Sequence, residues 1–328
     1  VPKIDISFGG NYSGTRWLLL IREIYFFINF YFEFILKKTN KEYQIIHINE
    51  FLMIPILPFI KKKYKSSKII IHLRTMITEK NNFLKKICFK IVEKNVHKII
   101  AIDKNVKNCL PDKLKKKTIV IYNPQKFEKG FIAKKKSKVL RIGFIGPINK
   151  EKGIEKLILI AKKINMKKKG VLFVLFGNLE KSFLSNILHI LKIKKNYYFY
   201  FKKNNFFKDK NIKIKKFTKN LKKIYSSFDI NLSVQEPGSY GRSMIESASY
   251  NIPSLISLKK NFHEAVIHKK TGYFIKYNNE KSFIEGIDFF LKNRKKIDTL
   301  GKNNYIFFKK KHSIKIFEKN MMNLFLKI

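Results

Sequence analysis

The sequence predicts an α/β protein of two doubly wound domains facing one another across a cleft. Three observations predict it. Short isoleucine-rich runs, apolar on both faces, alternate with longer helical patterns, as parallel strands buried under helices do. A polar segment interrupts this rhythm once, and a second series follows. The strands of both series end in glycine or polar residues, where the ligands of such sheets sit.

The first series holds strands YQIIHI (43–48), SKIIIHL (67–73), HKIIAI (97–102) and KTIVIY (117–122), with helical patterns at 50–62, 82–95 and 104–110. Ahead of it, WLLLIREIYFFINFYFEFIL (17–36) barely reaches membrane length and carries Arg22, Glu23, Asn29 and Glu33. Charges inside so short a stretch predict a buried helix rather than a membrane span. FLMIPILPFI (51–60) is too short to span and contains two prolines. The polar KFEKGFIAKKKSK (126–138) reads as the linker. Beyond it come strands KVLRIGFIG (138–146), GVLFVLFG (170–177), IKIKKF (212–217), FDINLSV (228–234) and IPSLISL (252–258). Helices are expected near 153–165, 180–193, 219–226, 242–250 and 279–293. The pattern thus gives a Rossmann-like domain over 1–133, a second over 134–310, and a helix over 311–328 that packs back toward the first domain.

Length and composition bound the rest. The chain has 328 residues, 45% hydrophobic and 14% aromatic, enough for two ordinary cores. Lysine and arginine number 71 against 23 acidic residues, a formal charge of +48. Nearly all of this charge is lysine; the arginines are Arg16, Arg22, Arg74, Arg141, Arg242 and Arg294. Lysine, isoleucine, asparagine and phenylalanine are inflated together, as an AT-rich genome produces. Readers of nucleic acid favour arginine's bidentate fork, so the charge argues for an anionic membrane surface or an anionic substrate before nucleic acid. Cys88 and Cys109 are too isolated for a disulfide framework, which fits a reducing cytoplasm.

Several chemistries are excluded by what is missing. The chain lacks GxxxxGK[ST], a pair of aspartates one residue apart, and GxSxG. HEAVIH (263–268) spaces its histidines five apart, wrong for a zinc helix. Two turns remain. IGFIGPINKEKGIEKLI (142–158) is strand, turn and helix; Gly143 and Gly146 permit close approach, and Lys152 and Gly153 stand where free helix N–H groups would hold a phosphate. Glycine in such a turn can equally serve only the turn. VQEPGSYGRSMIESA (234–248) repeats the arrangement with Glu236 and Glu246. Ser243 and Glu246 have the spacing of a capping box, in which Glu246 would only satisfy the helix terminus. That leaves Glu236, Tyr240 and Arg242 unexplained, whereas carboxylates at a cleft mouth suit sugar hydroxyls. His47 and His72 close two strands of the first series, and His72, with Arg74 and Thr75 beyond it, stands where a cleft-facing residue belongs.

Together these segments resemble the retaining glycosyltransferases of family 4, which have the two-domain GT-B fold. FIGPINKEKGIEKLI is similar to their "GRL…KG" turn, and DINLSVQEPGSYGRSMIESASYNIPSLIS to their strand, "E-P-F-G-R" and "I-I-E-A-x-x-x-G-x-P-V-I". HEAVIHKKTGYFI resembles the later "E-x-x-x-x-G-x-x-G", and IIHINE, IIIHLRT, IIAIDKNV and IVIYNPQ match successive strands from residue 43 onward. The resemblance implies transfer from a nucleotide diphosphate sugar to an acceptor hydroxyl with retention, without metal or cofactor. It further implies a lipid-linked or saccharide acceptor, a role in cell-surface polysaccharide or lipopolysaccharide, and a place at the cytoplasmic membrane face. By it His72, Lys152 and Glu236 would be catalytic. Gly146, Lys152, Glu236, Gly238, Ser239, Tyr240, Gly241, Arg242 and Glu246 would bind the donor, with Glu246 on the ribose.

The chain departs from that pattern in three places. Nine residues separate its two glutamates where the family has seven, so Gly238 falls at the first glutamate position and Glu236 serves only through a two-residue bulge. Pro147 occupies the position of the diphosphate-binding arginine. About 45 residues precede the IIHINE strand, fewer than the family's first βα units occupy, which predicts an incomplete N-terminal domain and a truncated chain. A catalytically weak sugar-nucleotide binder and a basic nucleic-acid-binding α/β protein are the competing readings.

Overall fold

The structure, a computed structural model, describes residues 3, 4, 6, 18–37, 41–77, 83–127, 138–167, 170–179, 186, 187, 190, 195–234, 240–257, 262–276 and 278–328. Two compact units divide the chain: Val1–Asn123 with Phe317–Ile328, and Pro124–Ile316. Residues 128–137 of the predicted linker, and most of the helix predicted at 180–193, lie outside the described residues.

The first unit opens with α1 (Leu18–Phe30), continued by a π turn over Tyr31–Ile35. Then follow β1 (Ile45–Ile48), α2 (Leu57–Lys63), β2 (Lys68–Leu73), α3 (Phe83–Asn95), β3 (Lys98–Ala101), α4 (Lys104–Asn108), α5 (Asp112–Lys116) and β4 (Thr118–Val120). The strands form one parallel sheet in the order β1-β2-β3-β4. The period of two in a strand splits the isoleucines between its faces. Ile69, Ile71 and Leu73 pack under Leu57, Ile60, Cys88 and Val92 of α2 and α3. Ile70, Ile100 and Ile121 face Met321 and Leu324 of the last helix.

One expectation is overturned here: the 17–36 helix is not buried. Phe27 and Tyr31 pack edge-on to Phe59 of α2, and Lys63 donates to the carbonyls of Phe34 and Lys37. Ile21, Ile24, Tyr25, Ile28 and Phe32 are 47–63% exposed. Their spacing (i, i+3, i+4, i+7, i+11) places them on one stripe. The segment is apolar on two faces, and α2 covers one of them.

The second unit contains β5 (Leu140–Ile145), α6 (Ile154–Lys167), β6 (Val171–Phe176), α7 (Tyr197–Lys203), β7 (Ile212–Lys215), α8 (Leu221–Tyr225), β8 (Ile230–Ser233), α9 (Arg242–Ser249), β9 (Ser254–Ser257), β10 (Gly272–Ile275), α10 (Glu280–Lys292) and α11 (Ile297–His312). Its parallel sheet runs β10-β9-β8-β5-β6-β7. In one core, Ile142, Phe173 and Leu232 meet Leu157 of α6, Phe201 of α7 and Ile287 of α10. On the opposite face, Val174 and Phe176 meet Ile224 and Tyr225 of α8. Helices on both faces explain why the strands read as unbroken apolar runs. At the N-terminal ends of β5 and β8, Arg141 Nη2 pairs with Asp229 at 2.7 Å, and the Arg141 amide also donates to that carboxylate. The last helix, α12 (Ile314–Phe325), leaves the second unit at Ile316 and from Phe317 belongs to the first. No helix among the described residues is long and apolar enough to cross a membrane.

Candidate functional site

The sheet order of the second unit locates its site. The chain starts at β5 in the middle, builds outward through β6 and β7, then returns to the other side of β5 with β8, β9 and β10. The reversal lies between β5 and β8, and beyond their C-terminal ends a doubly wound sheet leaves its crevice. Of the two turns singled out by the sequence, one follows β5 in the chain and the other follows β8.

On the β5 side, Gly146 ends the strand at φ +146°. Asn149 caps a short 3-10 turn over Lys150–Lys152 by accepting from the Lys152 amide at 3.0 Å. Gly153 follows at φ +71°, donating to Lys150 O, and Ile154 N donates to Asn149 O. The amides of Lys152 and Gly153 are therefore not the free donors that the sequence suggested, because Asn149 folds the turn back on itself. A Cβ at Gly153 would stand 2.0 Å from Val234 O. This turn is thus packed directly onto the end of β8.

On the β8 side, Glu236, Gly238 and Ser239 lie outside the described residues. Tyr240 turns inward, 5% exposed, its hydroxyl 3.2 Å from His312 Nε2 and its ring edge-on to Phe308. Gly241 is the N-cap of α9, extended and with no side-chain cap; Arg242 opens the helix, its side chain 79% exposed. The S-x-x-E capping box is not formed. Gly241 takes the cap position, so Ser243 is already helical and Glu246 falls one turn further in.

Glu246 is 9% exposed yet carries a carboxylate. Its Oε2 accepts from the Tyr225 hydroxyl at 2.9 Å, and its Oε1 lies 3.4 Å from Arg242 Nη2. Burial, and then the neighbouring Glu246 charge, raise the Tyr225 pKa well above its ordinary value, so the phenol keeps its proton and donates. Sequence reasoning missed Tyr225, Asn149 and His312. Asparagine ahead of a KEK turn was a readable cap signal for the second; the other two sit far along the chain and carried none.

The first unit has its own pocket, a cavity of about 480 Å³ between the ends of β1 and β2 and helix α12, lined by His47, His72, Arg74, Glu318, Met321 and Phe325 among others. His72 is 1% exposed, and neither ring nitrogen has a protein partner. Burial, with Arg74 and His47 beside it, pushes its pKa down to about 3, so the ring is neutral. His47 stacks on it with centroids 5.6 Å apart. Among the described residues no group of three histidine, cysteine, aspartate or glutamate side chains could hold a metal ion.

Residues 125–307, more than half of the chain, match the family described as Glycosyl transferases group 1. The chain belongs to this family. The group 1 match covers both turns and nearly the whole second unit. Among solved structures, this glycosyltransferase is similar to HepE of Anabaena in complex with UDP and glucose: TM-score 0.68, 11% identity, over 87% of this chain and 78% of that one. Sucrose-phosphate synthase of Thermosynechococcus elongatus gives TM-score 0.70, 14% identity, and 95% and 78% coverage. A glycosyltransferase of Rickettsia africae gives 0.64, 16%, and 97% and 83%. At such identities the likeness carries the fold, and it is GT-B. No protein of curated function matches the chain significantly.

Proposed function

We propose that this glycosyltransferase moves a sugar from a nucleotide diphosphate sugar to an acceptor hydroxyl, retaining the anomeric configuration as family 4 does. The observation that carries the donor assignment is Glu246: a buried carboxylate held at the β5/β8 switch point with one oxygen turned toward the exposed Arg242. Nucleotide ribose hydroxyls suit that oxygen. The uncapped N-terminus of α9 and the Lys152 ammonium suit the diphosphate, whose charge they stabilise as it leaves, so no divalent metal is required. Glu236 and the amides at Gly238, Ser239 and Gly241 would take the transferred sugar. HepE and its UDP complexes support a uridine donor by analogy of fold alone.

His72 serves the acceptor side. A neutral imidazole both donates and accepts, which fits an acceptor hydroxyl. The exposed stripe of α1 and the excess of lysine favour a lipid-linked acceptor at the cytoplasmic membrane face, in the synthesis of cell-surface polysaccharide. Calorimetric titration with UDP-, GDP- and ADP-sugars tests the reading. One of them binds, and Glu246→Ala and Lys152→Ala each weaken it at least tenfold, about the worth of one charge-assisted contact. Unchanged binding in both variants would overturn the site. Tight RNA or DNA binding at physiological salt, with no sugar nucleotide bound, would overturn the enzyme. The anomeric proton of the product, read by NMR, decides retention.

A further inference from the structure

Tyr225 lies 21 residues from Glu246 in sequence and outside both turns, yet it decides how the carboxylate is presented. Its ring is fully buried, stacked on Tyr250 with centroids 5.0 Å apart and edge-on to Phe228 at 5.5 Å. The hydroxyl reaches Glu246 Oε2 at 2.9 Å, with Ser243 O at 3.3 Å as its other neighbour. A phenylalanine would fill the same space. Burying a hydroxyl and a carboxylate side by side costs desolvation that packing alone does not require. A carboxylate has about four lone-pair sites. Tyr225 takes one on Oε2, and the inner side of Glu246 is closed by that ring. Oε1 is left on the side of Arg242, whose side chain is 79% exposed.

We infer that Tyr225 is a positioning residue of the donor site: by pinning Oε2 of Glu246 it turns Oε1 outward to accept from the paired ribose hydroxyls of the donor. The inference rests on the assignment of Glu246 to the ribose. Because the phenol touches the carboxylate and not the ligand, its loss removes discrimination for those hydroxyls while the remaining ligand contacts stay.

The test compares UDP, GDP and ADP with their 2′,3′-dideoxy analogues, titrated into the full chain by calorimetry. The wild type prefers the ribose form of its nucleotide. Tyr225→Phe, which keeps the ring and is checked by circular dichroism, weakens that form roughly tenfold and leaves the dideoxy form unchanged, the loss of one hydrogen bond to a charged group. Equal weakening of both forms, or of neither, would overturn the inference. Glu246→Asp gives a second route that does not depend on the tyrosine variant: the shortened carboxylate retreats from the phenol and loses the discrimination as fully as Glu246→Ala. If Glu246→Asp keeps wild-type discrimination, pinning is wrong. If Glu246→Ala itself keeps it, the ribose assignment fails instead, and if none of the three nucleotides binds, the donor reading fails as a whole.

Discussion

Gly153→Ala probes the packing on which the whole switch-point site depends. Gly153 sits at φ +71°, a conformation that costs an L-residue roughly 1–2 kcal/mol. Its added Cβ would also lie 2.0 Å from Val234 O and 2.9 Å from Val234 C. Both atoms are backbone, so no rotamer change relieves the contact, and the turn must lift off β8 by more than an ångström. Together the two effects amount to about 3 kcal/mol. Gly170 supplies the control. It has φ +91° but open space where its Cβ would go, so Gly170→Ala bears the conformational cost alone. Thermal melting by circular dichroism should lower the transition of the second unit by roughly 6–12 °C in Gly153→Ala and by about one to two thirds of that in Gly170→Ala. Nucleotide titration should show weakened binding only in the former, because the ammonium of Lys152 moves with the turn. If the two variants melt together and bind alike, the apposition of the β5 turn and β8 is not as described.

Two further outcomes follow from the first unit. His72 is neutral when folded with a pKa of about 3, against 6.5 when unfolded, so the unfolded chain binds the extra proton between those values. Its contribution to stability is complete above about pH 6.5 and declines as pH falls toward 3, at up to roughly 1.4 kcal/mol per pH unit. Denaturant midpoints measured from pH 7 to 4 should fall less steeply in His72→Gln; parallel profiles would refute the assignment. The outer stripe of α1 should bind phosphatidylglycerol vesicles in a salt-sensitive manner. Ile24→Ser with Ile28→Ser, two side chains 59% and 47% exposed, should lower the partition coefficient roughly 30-fold at about 1 kcal/mol each. Flotation unaffected by the double substitution would remove α1 from any membrane contact.

The strands were legible because a strand buried on both faces must be apolar at every position, and runs such as SKIIIHL announce that directly. β10 went unread: Tyr273 and Phe274 are only half-buried at the sheet's edge, and GYFI is too short to stand out. α11 was hidden by its closing lysines, which mask the stripe of Leu300, Asn304 and Phe308 that packs inward. The α1 error has a different cause. Periodicity says which face of a helix is apolar, not whether another element exists to cover it. The site divided along the same line. The glycine turns are local features and could be read from spacing, but the capping box that spacing offered for Glu246 is not formed because Gly241 takes the cap position. The phenol that holds Glu246 could not be read so, since a tyrosine in KKIYSSFD reads as core, and it is core everywhere except at one oxygen.

The strand orders explain why the two units offer different chemistry. The second unit's sheet reverses between β5 and β8, the place beyond which a doubly wound sheet leaves its crevice, and the helix that carries Glu246 follows β8 in the chain. The first unit's described strands run β1-β2-β3-β4 without reversal, and such an order opens no crevice of this kind. Its pocket arises instead where α12 lies across one face of the sheet and stops short of filling the space beside His47 and His72. That pocket sets the charged Arg74 and Glu318 beside His47, His72, Met321 and Phe325, so its lining is mixed in character.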